Sequence, residues 1–139
     1  MKRELKNSLG KIFLTITYDA ENQWVYANWS GYQTLQSIQQ GANTYLEVFA
    51  DYKCHYLIND NRLVAGPWSQ ATEWLAQDWT PRAVVFGLTH FAHVISPEAL
   101  ARLSAENLHH RIKGALHMQI FEQAEKAQEW VRQAQRKTL

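Results

Sequence analysis

The stretch LTHFAHVISPEALARLSAENLHHRIKGALHMQIF, residues 88–121, decides the fold, because it reads as a strand, a helix and a second strand. The apolar segment LTHFAHVIS predicts a strand. Ser96, Pro97 and Glu98 then predict a helix start, with a capping side chain, a proline and an acid in the first turn. The predicted inner face of this helix is Leu100, Leu103, Leu108 and Ile112. The segment ALHMQIF predicts the next strand. A helix between two strands makes a crossover, so both strands are predicted to be parallel members of one sheet.

The same alternation extends towards the N-terminus. HYLIN predicts a short buried strand, followed by a helix that starts near Pro67. Apolar residues at three- and four-residue steps predict an earlier helix from Thr34 to Tyr52. Gly41 in its middle indicates close packing on a strand. KIFLTITYDA and QWVYANWSG, separated by a short turn, predict an antiparallel hairpin before that helix.

The remaining segments complete the pattern. Thr80 and Pro81 predict a break and restart in the second helix, which Gly87 closes. AEKAQEWVRQAQ predicts the last helix. The order is therefore β-β-α-β-α-β-α-β-α. It predicts a single α/β domain over residues 1–139, with an ordered core of about 11–136 and a mixed, mostly parallel five-stranded sheet flanked by helices.

Composition excludes several classes of function. Fourteen basic and thirteen acidic residues leave a net charge of +1, so no field of one sign recruits nucleic acid or anionic membrane. The basic residues near the start are interpreted as a frayed terminus. Cys54 is the only cysteine, which excludes an internal disulfide. No apolar run is long enough for a secretory signal or a membrane span. The predicted location is the cytoplasm.

The polar run Asn59, Asp60, Asn61 and Arg62 is the best candidate for a ligand site, together with the nearby Trp68. Parallel sheets bind ligands beyond the carboxyl ends of their strands. Asp60 could accept a proton or hydrogen bond, and Arg62 could bind a carboxylate or phosphate. The structural interpretation is preferred, because Asn and Asp favour turns and an Asp–Arg pair can hold a loop together. On this interpretation the run forms the turn between the strand and the following helix.

Other chemistry is not indicated. Ser96 with His90 or His93 as its base would resemble a nucleophile pair, but His90 is too distant along the strand and His93 points to the other face. Ser96 is interpreted as a helix cap. The six histidines form no metal-binding motif, and no cofactor motif is present.

The order of elements resembles the STAS-like fold of anti-sigma-factor antagonists, the SpoIIAA-like class. NDNRLVAGPWSQATEWLAQDWTPRAVVFGL, FAHVISPEALARLSAE and IFEQAEKAQEWV are similar to segments of uncharacterised bacterial STAS-like proteins. The resemblance implies a regulatory module. In signalling members, a serine at the start of the helix after the third strand accepts a phosphate within an Asp-Ser-Ser-Gly-like motif. Here that region reads AGPWSQA, so Ser69 is the only candidate phosphoacceptor nearby. A polar residue in the first helical turn is the alternative.

Three functions follow as hypotheses. The first is a non-catalytic regulatory module that binds a protein or a small molecule. The second is a small enzyme that acts on an acidic or phosphorylated metabolite at Asp60 and Arg62. The third is a homo-oligomer, such as a homodimer, with a tryptophan-rich interface. The first is preferred because no catalytic set is recognisable.

Overall fold

A six-stranded mixed sheet forms the centre of the α/β domain, and its strands are arranged in sequence order. The computed structural model describes residues 1–112 and 114–138. The first three strands pair antiparallel, and the last four pair in parallel. The strands are β1 Lys2–Lys6, β2 Ile12–Asp19, β3 Trp24–Gly31, β4 Tyr56–Val64, β5 His90–Val94 and β6 His117–Phe121.

Helices cover both faces of this sheet. They are α1 Leu35–Tyr52, α2 Thr72–Trp74, α3 Thr80–Val85, α4 Ala99–Ile112 and α5 Ala124–Lys137. The crossovers containing α1 to α4 all step in one direction along the sheet. Right-handed crossovers then place their helices on one face, and the larger core lies there. The helix α5 packs a second core on the opposite face. Among the described residues, no helix combines the length and apolar character needed to cross a membrane.

The predicted strand count of five was wrong, because the N-terminal residues form β1. This strand pairs antiparallel with β2, so the ordered fold begins before residue 11. Arg3 forms ion pairs with Glu47 and Asp51 of α1, at 3.2 and 3.4 Å, while Leu5 packs against the core. The charged segment that was interpreted as a frayed terminus is therefore an ordered strand. Ion pairs of Arg3 and the apolar contact of Leu5 hold it in place.

The inner face of α4 was also partly mispredicted. Leu100 and Leu103 are 53% and 50% exposed. The buried face consists of Ala101, Ser104, Ala105, Leu108 and Ile112, which recur at helical spacing. Small residues near the start of α4 let the chain around Trp68 approach closely, since the Trp68 backbone N–H donates to Ser104 Oγ at 2.9 Å.

The predicted break at Thr80 and Pro81 was wrong as well. A 3₁₀ turn at Ser69–Ala71 leads into α2, and a π-helical turn at Leu75–Trp79 joins α2 to α3. The Thr80 backbone N–H bonds to Leu75 O, five residues back. Pro81 has no N–H to donate, and the change of hydrogen-bond register lies just before it. Gly87 ends the segment with a φ of 106°, as predicted.

The helix α1 agrees with its prediction. Thr34 caps its start through a reciprocal hydrogen bond with Ser37. Gly41 faces the sheet, where an added Cβ would lie 2.6 Å from Leu14 Cδ2 and even closer to the Trp29 ring. The Trp29 indole is held by hydrogen bonds to Tyr45 and Asn59, so it cannot easily move aside.

We therefore expect Gly41→Ala to lower the free energy of unfolding by about 1–2 kcal/mol, measured by urea denaturation. The helix propensity of alanine gains about 1 kcal/mol, but overpacking against a fixed indole should cost about 2–3 kcal/mol, the upper part of the usual range. Gln40→Ala, at an exposed neighbouring position in α1, is the control and should change stability by less than about 0.5 kcal/mol. An unchanged or increased stability of Gly41→Ala would contradict the close contact.

Candidate functional site

The polar run of residues 59–62, called the polar knot, lies inside β4 rather than in a turn. Asn28 of β3 pairs with Asp60, and Ser30 pairs with Leu63, so β4 carries one additional residue between these pairs. This is a β-bulge, and it lets β4 continue to Val64. The interpretation of the knot as a strand-to-helix turn was therefore wrong.

A hydrogen-bond network centred on Asn59 occupies the face of the sheet beneath α1. Asn59 Oδ1 accepts from Trp29 Nε1 at 2.9 Å and from the Tyr45 hydroxyl at 2.5 Å. These two donors determine the orientation of the carboxamide. Its Nδ2 donates to Asn61 Oδ1 at 2.9 Å and lies 3.4 Å from His93 Nδ1. One side chain thus connects β3, α1, β4 and β5.

The network determines the proton position on His93. Asn59 Nδ2 is a donor, so the facing Nδ1 of His93 acts as an acceptor, and the ring proton is assigned to Nε2. His93 is 1% exposed. Burial lowers its pKa from 6.5 to about 4, although the Asp60 charge opposes the shift. At pH 7 the ring is therefore neutral, with an Nε2–H group.

A cavity lies beside this network, between α1, the π-helical turn and the sheet. Leu75 and Trp79 of the π-helical turn, Trp68 and Phe91 contribute to its walls. Every residue that lines it is buried. Its volume is about 50 Å³. A cavity of roughly 10–15 Å³ is enough for one water, so this one has room for a few waters or a small ligand.

Two of the residues that line the cavity each carry a buried polar atom without a protein partner among the described residues. Within residues 1–112 and 114–138, no protein atom accepts a hydrogen bond from Trp68 Nε1 or pairs with His93 Nε2. The two rings are neighbours, with centroids 6.0 Å apart. Leaving a buried donor unsatisfied costs about 1–3 kcal/mol, so a molecule that accepted hydrogen bonds from both atoms would be stabilised here.

Asp60 and Arg62 lie on the opposite face of the sheet. Asp60 accepts from the Arg62 backbone N–H at 3.0 Å, from Arg62 Nε at 3.0 Å and from Arg62 Nη2 at 2.7 Å. The Tyr26 hydroxyl also donates to this carboxylate. Asp60 is buried, while 47% of the Arg62 side chain is exposed. The Asp60–Arg62 pair therefore holds the backbone of the bulge together, and it is called the staple.

The ionisation of this group follows from the same contacts. Burial alone would raise the pKa of Asp60, but hydrogen bonds from Arg62 and Tyr26 outweigh it and hold the pKa below its usual value. Burial, together with the Asp60 carboxylate, raises the pKa of Tyr26 to about 12. Hydrogen bonding to Asp60 raises the pKa of Arg62. Asp60 is thus ionised at neutral pH, with its oxygens already engaged.

The predicted site residues therefore separate into two groups. Asn59, Asn61 and Trp68 meet at the cavity, and Asp60 and Arg62 do not reach it. Among the described residues, no group of three or more His, Cys, Asp or Glu side chains is arranged to hold a metal ion.

Ser69, the predicted phosphoacceptor, is exposed at the start of the 3₁₀ turn. Its hydroxyl lies 3.0 Å from Ser104 Oγ. Ser96 is tied to the backbone: its hydroxyl donates to Val64 O and accepts from Glu98 N–H. The Glu98 carboxylate accepts from Ala101 N–H and so caps the start of α4. Ser96 supports this cap rather than forming it.

Sequence reasoning missed Trp29, Tyr45 and the central position of His93. His93 entered the hypotheses only as a base for Ser96. A histidine within the apolar run FAHVI, and an asparagine at the end of HYLIN, are the available signals. Their pairing across β4 and β5 depends on strand register, which composition does not determine.

The sequence matches no protein-family model and no curated protein with significant similarity.

The burial of His93 makes stability dependent on pH. The folded-state pKa lies below the ordinary value, so the unfolded chain binds more protons between about pH 4 and 6.5. We expect the free energy of unfolding to be at its full value above about pH 6.5 and to fall by roughly 3 kcal/mol towards pH 4. Urea titrations across this range measure the slope.

Two variants separate the contribution of His93. His93→Gln should flatten the slope, leaving the part due to His90, whose pKa is also lowered by burial. His110→Gln, at an exposed position, should retain the full slope. A slope that is the same in all three proteins would contradict a buried neutral His93.

The staple on the opposite face gives a further prediction. We expect Arg62→Ala to cost about 2–3 kcal/mol, because it leaves the buried Asp60 carboxylate with only Tyr26 as a side-chain partner. Arg102→Ala breaks an exposed ion pair with Glu122 and should cost less than about 1 kcal/mol. Chemical denaturation compares the two. Equal losses would contradict the staple, and folded Arg62→Ala protein that fails to bind ligand would favour a ligand-binding role instead.

Proposed function

We propose that this protein is a non-catalytic regulatory module of the STAS-like kind, which binds a small molecule in the cavity beneath α1. The observation that carries the proposal is the pair of unpartnered groups, Trp68 Nε1 and His93 Nε2, which belong to two buried residues that line one cavity. Asn59 and Asn61 orient the surrounding side chains. The regulatory part of the proposal rests on the resemblance of the sequence segments to STAS-like proteins.

The geometry favours binding over acid–base catalysis at Asp60. A general base needs a free lone pair within reach of its substrate, and the Asp60 oxygens already accept hydrogen bonds from Arg62 and Tyr26. The neutral His93 has no nucleophilic side chain hydrogen-bonded to it among the described residues. Control by phosphorylation of Ser69, pairing with a protein partner or a second copy, and a cytoplasmic location stay predictions.

Native mass spectrometry of gently purified protein tests the proposal. We expect a non-covalent mass that is lost on denaturation. Ala42 lines the cavity, so Ala42→Leu should fill much of it and abolish the additional mass. Leucine is well tolerated in helices, so the fold should survive, and circular dichroism verifies this.

Ala50→Leu is the matched control, since it makes the same change at an exposed position of α1. This variant should carry the same additional mass as the unmodified protein. The assignment of the ligand to this cavity would be overturned if none of the three proteins carried an additional mass. It would also be overturned if Ala42→Leu retained that mass.

A further inference from the structure

We infer that the cavity selects a small uncharged molecule that offers a hydrogen-bond acceptor to Trp68 Nε1–H and His93 Nε2–H. This inference deepens the proposed function and rests on it. It names the chemical class of the ligand, which neither the sequence nor the comparisons indicate.

The first argument concerns hydrogen-bond polarity. An indole nitrogen only donates, so the partner of Trp68 must contain an acceptor. His93 Nδ1 faces the Asn59 amide N–H at 3.4 Å, so its Nε2 also presents a proton. Both unpartnered groups are therefore donors, and their side chains are 4% and 1% exposed. A ligand that only donates hydrogen bonds would satisfy neither.

The second argument concerns charge. Every side chain that lines the cavity is neutral once His93 is neutral. An anion would satisfy the two donors but would be buried without a counter-charge, which is strongly unfavourable. The guanidinium of Arg62 cannot supply that charge, because it is paired with Asp60 on the other face of the sheet. An uncharged acceptor, such as a carbonyl or amide oxygen, fits both conditions.

The third argument concerns size. The cavity volume is about 50 Å³, roughly a third of an engineered apolar cavity of 150 Å³ that accommodates benzene. The rings of Trp68, Trp79 and Phe91 form much of the wall, so the remainder of the ligand meets apolar surface. A compact molecule with one acceptor and an apolar end is the expected shape.

The test compares three small probes by two-dimensional ¹H–¹⁵N spectroscopy at pH 7. Acetamide is neutral with an acceptor oxygen, acetate is nearly isosteric but charged, and xenon has no acceptor. Acetamide should shift the Trp68 indole N–H signal saturably in the millimolar range. Acetate should bind at least about tenfold more weakly. Xenon accepts no hydrogen bond, so it should not produce the shift of this signal that a hydrogen bond causes. Trp24 and Trp130 lie on the opposite face, so their indole signals serve as internal controls.

Trp68→Phe identifies the signal and tests the hydrogen bond. It retains an aromatic ring but removes the donor, and it should weaken acetamide binding roughly fivefold, followed through the amide signals of β5. Acetate that binds as well as acetamide would overturn the inference while leaving a binding cavity. Xenon binding alone would show a purely apolar site, and no binding by any probe would show a site for ordered water only. Either result overturns the inferred class, whereas the proposed function fails separately, through the co-purified mass and Ala42→Leu.

Discussion

The carboxamide of Asn59 is the constraint on which the candidate site depends. Its oxygen accepts from Trp29 and Tyr45, and its nitrogen faces Asn61 and His93. These contacts hold the buried carboxamide in one orientation, since breaking one of them leaves another group unpaired in a low dielectric. No apolar residue or carboxylate could supply both acceptor and donor in that geometry. One polar side chain therefore links α1 to three neighbouring strands.

Neighbouring residues of β4 have different roles because they lie on opposite faces of the sheet. Successive residues of a strand face opposite sides, so Asn59 points towards α1 and Asp60 points away from it. The additional residue in β4 then gives Arg62 the backbone and side-chain geometry to surround Asp60. As a result, charge is neutralised on the α5 face, and the α1 face keeps only neutral polar groups beside the cavity.

Much of the fold could be predicted from the sequence, because it depends on local periodicity. The alternation of strands and helices, the bounds of α1 and the close approach at Gly41 follow from spacing and from one residue without a side chain. The strand β1 could not be predicted, since KRELK has one apolar residue and its pairing is non-local. The π-helical turn lies just before Pro81, a residue that resembles a helix break in the sequence. The candidate site was half predicted: Asn59, Asn61 and Trp68 were identified, but the register that joins them to His93 is a tertiary property.

The persistence of the cavity is the strongest link between this fold and binding. A void of about 50 Å³ costs about 1 kcal/mol, and collapse of a neighbouring ring would remove that cost. Hydrogen bonds prevent the collapse: Trp79 Nε1 donates to Ala42 O at 2.7 Å, and the Trp29 indole is fixed by Tyr45 and Asn59. The backbone of Trp68 is anchored to Ser104. The large side chains are thus held at the walls, and a bound molecule would satisfy donors that the protein leaves unpaired.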